Sequence, residues 1–164
     1  MEFLTKGPYT AIVDYAHTPD SLESAYEAAR PKPNANYPDA RLICVLGAAG
    51  GGRDRWKRSE FGKIAAEYCD DIVLTNEDPY DEDPAEIIRE IRAGIIETDF
   101  DPENVYEALD RRDGIKKAVA LARPGDVMIG TGKGSEDWIH VAKGKKVPWN
   151  EKRAFKVALE EKEV

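Results

Sequence analysis

Histidine and cysteine are scarce in this chain, two of each in 164 residues. Cys44 and Cys69 have neither C-x-x-C spacing nor a neighbouring histidine, which argues against a zinc site. They fall on an apolar strand and at a helix end, and read as buried, reduced thiols of a cytoplasmic protein. Long apolar runs are missing too. None approaches the roughly 20 residues of a membrane span, and the first six residues are no signal peptide. Positive charge is not in excess. A net charge of −8 argues against general binding to nucleic acid or anionic membranes. Two nucleotide signatures are absent as well. In Gly130-Thr131-Gly132-Lys133-Gly134-Ser135, a G-x-x-x-x-G-K-[ST] loop would need glycine at Val127 and Ser or Thr at Gly134. The glycines of residues 47–52 (GAAGGG) do not spell G-x-G-x-x-G. No acidic residue closes the next strand, where Thr75-Asn76 stand. A dinucleotide oxidoreductase is therefore unsupported.

What is present is a regular alternation of strand and helix signals. Strands are expected at 10–13, 41–46, 71–75, 104–108 and 126–130. Helices are expected at 21–30, 59–68 (capped by Ser59), 85–96 (capped by Asp83), 111–122 and 151–160 (capped by Asn150). A hairpin pairs 138–141 with 146–149. The fold class is α/β: a Rossmann-like, mostly parallel sheet with helices on both faces and a C-terminal hairpin, in one domain spanning 1–164. The polar clusters 14–20, 47–58, 76–83 and 131–137 each follow a strand. A parallel sheet brings them to one edge, where α/β sheets bind ligands.

Each cluster has a chemical and a plain reading. Asp14, Tyr15 and His17 put a carboxylate, a phenol and an imidazole in one turn, where His17 can bond a phosphate or ribose; the plain alternative is a polar loop before a helix capped by Thr18 or Asp20. The glycine loop can bring backbone N–H groups to a ligand. Beyond it, Arg53, Arg55, Lys57 and Arg58 form a basic patch suited to carboxylate or phosphate, or else a solvated helix start. Basic residues there oppose the helix dipole, which favours the functional reading. The glycine backbone around Gly132, with Glu136, lines a pocket for a small zwitterion, or forms a polar turn before the hairpin. The acidic loop with Asp78, Asp81, Glu82 and Asp83 selects a cationic group, or caps a helix. His140 reads as structural. No nucleophilic triad is evident, so no catalytic residue and no metal ligand is assigned.

Together these stretches resemble the C-terminal domain of Mur ligases, in particular MurE-type members, which add the third amino acid of the peptidoglycan stem peptide. The resemblance rests on DYAHTPDSLE (14–23), LICVLGAAGGGRDRWKR (42–58), GKIAAEYCDDIVLTNEDPYDEDP (62–84) and GKGSED (132–137). It implies a three-domain enzyme whose UDP-binding and central ATPase domains are absent from this chain. In such an enzyme ATP and Mg2+ phosphorylate the carboxylate of a UDP-muramoyl dipeptide, and the amine of the incoming amino acid displaces the phosphate. No cofactor is expected to bind tightly to this domain, and the isolated chain is expected to be inactive. By resemblance Asp14, Tyr15 and His17 face the nucleotide. Arg53 grips the amino acid's carboxylate. Gly132 and Glu136 hold its distal end, with Lys133 between them. Asp78 and Tyr80 belong to the selectivity loop. Diaminopimelate enzymes read D-N-P-R there, and Glu77-Asp78-Pro79-Tyr80 stand here. Tyr80 replaces the arginine that reads a second carboxylate, which fits lysine or another side chain better. The competing class is a free-standing, non-catalytic module binding a small acidic metabolite or a protein partner.

Overall fold

The computed structural model describes residues 1–52 and 54–162. The chain opens with an antiparallel hairpin, β1 (Glu2–Lys6) and β2 (Tyr9–Asp14), turned at Gly7-Pro8 with Gly7 at φ +56°. It then runs α1 (Pro19–Ala29), β3 (Leu42–Leu46), α2 (Trp56–Tyr68), β4 (Asp71–Thr75), α3 (Pro84–Ile96), β5 (Val105–Ala108), α4 (Arg111–Leu121) and β6 (Val127–Thr131). A small hairpin, β7 (Trp138–His140) with β8 (Lys146–Pro148), precedes α5 (Glu151–Lys162). The sheet order is β1-β2-β6-β3-β4-β5, parallel except for β1. No helix among the described residues is long and apolar enough to cross a membrane.

The central strands are apolar on both faces because both are covered. Leu42, Cys44 and Leu46 of β3 join one core with α1, α2 and α3. Ile43 and Val45 join the other, with α4 and α5. Ile72 and Leu74 against Val73 repeat this two-residue alternation on β4. Each fully buried aliphatic side chain contributes about 1.5–3 kcal/mol, before the entropy of ordering it is subtracted.

The helix starts follow from their caps. Thr18 accepts from Ser21 N while the Ser21 hydroxyl receives the Thr18 N–H, a reciprocal capping box ahead of Pro19. Asp83 caps α3, and Asn150 Oδ1 accepts from Arg153 N at 2.8 Å. Ser59 caps nothing: α2 begins at Trp56 without a side-chain cap, and Ser59 lies inside it, its hydroxyl bonding Trp56 O. The helix extends towards its N-terminus because Arg58, in its first turn, is drawn inwards by Glu82 and Glu90. The thiol expectation is also corrected. Cys44 and Cys69 are joined in a disulfide, Cα atoms 6.1 Å apart, because the end of α2 returns to β3 just before β4 begins.

Helices α2 and α3 touch through glycines. A Cβ on Gly94 would sit 2.0 Å from Ser59 O, and one on Gly62 would sit 2.1 Å from Ile91 O. Neither carbonyl is a flexible side-chain tip. Gly94→Ala is therefore expected to destabilise the chain by about 1–3 kcal/mol through overpacking, despite alanine's better helix propensity. A higher urea midpoint in Gly94→Ala would contradict this packing.

Candidate functional site

β6 lies between β2 and β3 in the sheet. The chain leaves β3 towards the α1–α3 layer and leaves β6 towards the α4–α5 layer. The loops diverge there and leave a crevice. A cleft of about 540 Å3 opens at this edge, with His17, Gly50, Lys57, Arg58, Glu77 and Tyr80 among its walls.

The glycine loop is pinned to the loop after β4. Gly50 N donates to Asp78 O at 2.7 Å, and a Cβ on Gly50 would lie 2.0 Å from Pro79 O. Gly52 N donates to Glu82 at 3.0 Å. Arg58, 1% exposed, donates to Glu82 at 2.7 Å, Glu90 at 2.8 Å and Ala49 O at 3.2 Å. Its hydrogen bonds, with the Gly52 N–H, hold the Glu82 carboxyl below the usual range. Arg55 also pairs with Glu90, and Lys57 with Asp54 at 3.2 Å. The basic patch is thus largely neutralised and braces the loop. Arg53 lies outside the described residues.

The loops after β4 and β6 are bolted together by Lys133. Its fully buried ammonium donates to Asp78 at 2.8 Å and Glu136 at 2.7 Å. Lys133 therefore holds two carboxylates in place and presents no charge to the cleft. Asp78 also accepts from His140 N at 2.9 Å. Tyr80, on the cleft wall at φ +52°, stacks on the His140 ring with centroids 5.3 Å apart. His140 is thus structural, as the backing of Tyr80.

Glu77 was not singled out from the sequence. It is 6% exposed, lines the cleft, and makes no side-chain hydrogen bond among the described residues. Burial pushes its carboxyl up to about 7, with Asp78 adding to the rise and Arg111 and Lys133 opposing it. Gly132, at φ +96°, makes room for it: a Cβ there would fall 1.5 Å from Glu77 Oε1. The glycine is required on both counts.

The turn after β2 joins the same wall. Gly132 N donates to Asp14 O at 3.1 Å, and Gly134 packs directly under Tyr15. Hydrogen bonding to Glu136, and then its charge, raise the Tyr15 phenol. Tyr15 is 51% exposed, and its ring lies 4.8 Å from that of His17, whose Nδ1 is within 3.1 Å of Tyr15 O. Asp14 is committed locally, its Oδ1 accepting from Ala16 N at 2.8 Å.

Beneath all this lies Arg111. It pairs with Glu151 through two bonds of 2.8 and 2.6 Å, and donates to Asn76 O at 2.9 Å and Thr131 O at 2.8 Å. It therefore ties together the ends of β4 and β6, from which the Glu77 and Gly132 loops spring. Sequence reading missed it; the one signal available was an arginine in the first turn of α4, which opposes the helix dipole. Among the described residues no group of three or more His, Cys, Asp or Glu side chains forms a metal-ligand set.

Known proteins share this sequence pattern and this fold. Residues 1–134 match the family described as Mur ligase, glutamate ligase domain. The chain is 42% identical over 158 residues to UDP-N-acetylmuramoyl-L-alanyl-D-glutamate--2,6-diaminopimelate ligase of Aquifex aeolicus. That match covers 96% of this chain and 30% of the relative. A solved structure of a ligase with the same name superposes with TM-score 0.86 at 27% identity, covering 100% of this chain and 32% of that one. A MurF ligase from Thermotoga maritima, in complex with ADP, shares the fold alone, with TM-score 0.55 and 13% identity over 98% of this chain and 31% of that one. The chain spans about 30% of the length of the curated relatives it matches.

Proposed function

The chain belongs to the Mur ligase family through its glutamate ligase domain, and from that premise we propose that it supplies the amino-acid-binding part of an ATP-dependent amide ligase. The reaction is addition of a diamino acid to UDP-N-acetylmuramoyl-L-alanyl-D-glutamate during cytoplasmic peptidoglycan synthesis. The relatives' names favour 2,6-diaminopimelate as that amino acid. The competing reading, a free-standing binding module, has no observation in its favour.

The observation that supports this reading most is Glu77, a buried carboxylate on the cleft wall with no hydrogen-bond partner among the described residues. Such a group is costly alone and is compensated by a cation. The ammonium of an incoming amino acid supplies one. By the family resemblance, Arg53 takes the α-carboxylate. Gly132 and Glu136, set by the Lys133–Asp78 brace, hold the distal end. Tyr80 offers a stacked ring where diaminopimelate enzymes place an arginine. A second substrate carboxylate would therefore meet Lys57, on the cleft wall and paired, among the described residues, only to exposed Asp54.

The exposed rings of Tyr15 and His17, beside Asp14, fit the base or ribose of a nucleotide. The amides of the first turn of α1 are less available, because Thr18 already accepts from Ser21 N. ATP, when bound, activates the acceptor carboxylate by phosphorylation. Magnesium would accompany the nucleotide's phosphates in the complete enzyme, and no residue of this chain is assigned to it. This domain orients the amine against the activated carboxylate and excludes water as the domains close.

Two measurements on the complete enzyme test the assignment. Diaminopimelate, lysine and ornithine are compared as substrates. Diaminopimelate is expected to give the highest kcat/KM, and a preference for lysine would instead make Tyr80 the selecting residue. Arg53→Ala is expected to raise the amino-acid KM at least tenfold more than the ATP KM, and equal rises would remove Arg53 from the amino-acid site.

A further inference from the structure

A second concavity, of about 720 Å3, lies on the opposite layer, between α4, α5 and the β7–β8 hairpin. Trp138 and Trp149 form its aromatic surface, and Arg112, Lys116 and Arg153 stand around it. Nothing in the proposed ligase reading uses it.

Its charges are unusual for this molecule. Among the described residues, the arginines without a carboxylate partner are Arg112, Arg123 and Arg153. Two of these three stand at this groove, and Lys116 is likewise unpaired. Arg112 lies over the Trp149 ring, 6.0 Å from its centroid. The two carboxylates on the rim, Asp137 and Glu161, do not pair with the three cations. An acidic protein thus keeps a locally positive, aromatic groove.

A buried donor is also left over. Trp149 lines the groove and is 7% exposed; its indole Nε1–H, closed off from solvent inside the wall, has no hydrogen-bond partner among the described residues. Buried indole N–H groups ordinarily find an acceptor. Unpaired cations beside aromatic surface suit one ligand chemistry: an anion carried on a planar apolar group.

We propose that the groove between α4, α5 and the β7–β8 hairpin is a second binding site, for a small aromatic anion held by Arg112, Arg153 and Lys116 against Trp138 and Trp149. The site is separate from the cleft at the sheet edge, and its occupancy does not depend on the ligase reading.

The chain's three tryptophans make the test direct. Trp56 opens α2 beside the cleft residues Asp54 and Lys57, whereas Trp138 and Trp149 line the groove. The probe is 1-naphthyl phosphate, titrated into 15N-labelled chain while the three indole N–H signals are followed. Saturable shifts of the Trp149 and Trp138 signals, with Trp56 unmoved, are expected. The double substitution Arg112→Gln, Arg153→Gln changes only exposed side chains and is expected to weaken binding at least tenfold. Inorganic phosphate alone is expected to bind at least tenfold more weakly than the probe. Shifts confined to Trp56, no saturation by millimolar probe, or unchanged affinity in a folded double variant would each overturn the proposal.

Discussion

Arg111→Met is expected to lower the unfolding free energy by about 3–5 kcal/mol, the cost of leaving a buried charge without its partner. Arg111 and Glu151 are both fully buried side chains, and their paired bonds exclude solvent from each other's charge. Removing the guanidinium strands the Glu151 carboxylate and also orphans the Asn76 and Thr131 carbonyls. Two strand ends then lose their common tether, so the loops carrying Glu77 and Gly132 should loosen together. The double variant Arg111→Met, Glu151→Leu separates the pair's net worth from the penalty of breaking it. Replacing both partners by apolar groups of similar volume is often close to neutral, so much of the lost stability should return. Urea unfolding of the two single variants and the double variant measures this. A loss below about 1 kcal/mol in Arg111→Met would show that the pair is not buried in solution.

Glu77→Gln is expected to have the largest functional effect. In the complete enzyme it should raise the amino-acid KM by about 10–100-fold, the worth of a charge-assisted hydrogen bond of roughly 1.5–3 kcal/mol. The ATP KM should change little. pH supplies an independent readout. A cationic amine binds the ionised carboxylate, and burial lifts the Glu77 carboxyl to about 7. Amino-acid affinity in the wild type should therefore fall as pH drops below about 7, and Glu77→Gln should flatten that dependence. The stability sign is opposite. The folded-state value lies above the unfolded one, so the folded chain holds the extra proton between about 4.5 and 7. Its contribution to stability is present below 4.5 and is lost as pH rises through 7, by about 3 kcal/mol at most. Glu77→Gln should remove this loss and leave the variant more stable than wild type at pH 8. A less stable variant at pH 8 would mean that Glu77 is ionised and paired in the unliganded fold.

Much of the fold is legible because short apolar runs bounded by polar turns leave few other choices. The run at 71–75 is β4 to the residue, and Asp83 caps α3 as its chemistry suggests. The convergence of four loops followed from strand order alone. β1 was not legible: it is a five-residue edge strand with three polar residues, Glu2, Thr5 and Lys6, and it is specified by pairing with β2. The early start of α2 depends on Glu82 and Glu90, which are distant in sequence from Arg58 and reach it only once α3 is packed. The same holds for the disulfide and for Arg111 with Glu151. Lys133 carried the right address and the wrong direction. Its loop belongs to the site, but its charge turns inward to Asp78 and Glu136. Glu77 sat unnoticed in an acidic loop, because sequence cannot show which of several neighbouring carboxylates is buried.

The most direct measurement is amino-acid-dependent ADP release by the complete enzyme carrying this domain, supplied with ATP and UDP-N-acetylmuramoyl-L-alanyl-D-glutamate. Sustained release that requires a diamino acid, and that falls at least tenfold in Glu77→Gln at subsaturating amino acid, is the expected result. Release that proceeds equally without an amino acid, or that ignores Glu77→Gln at every concentration, would contradict the assignment of this cleft to the incoming amine.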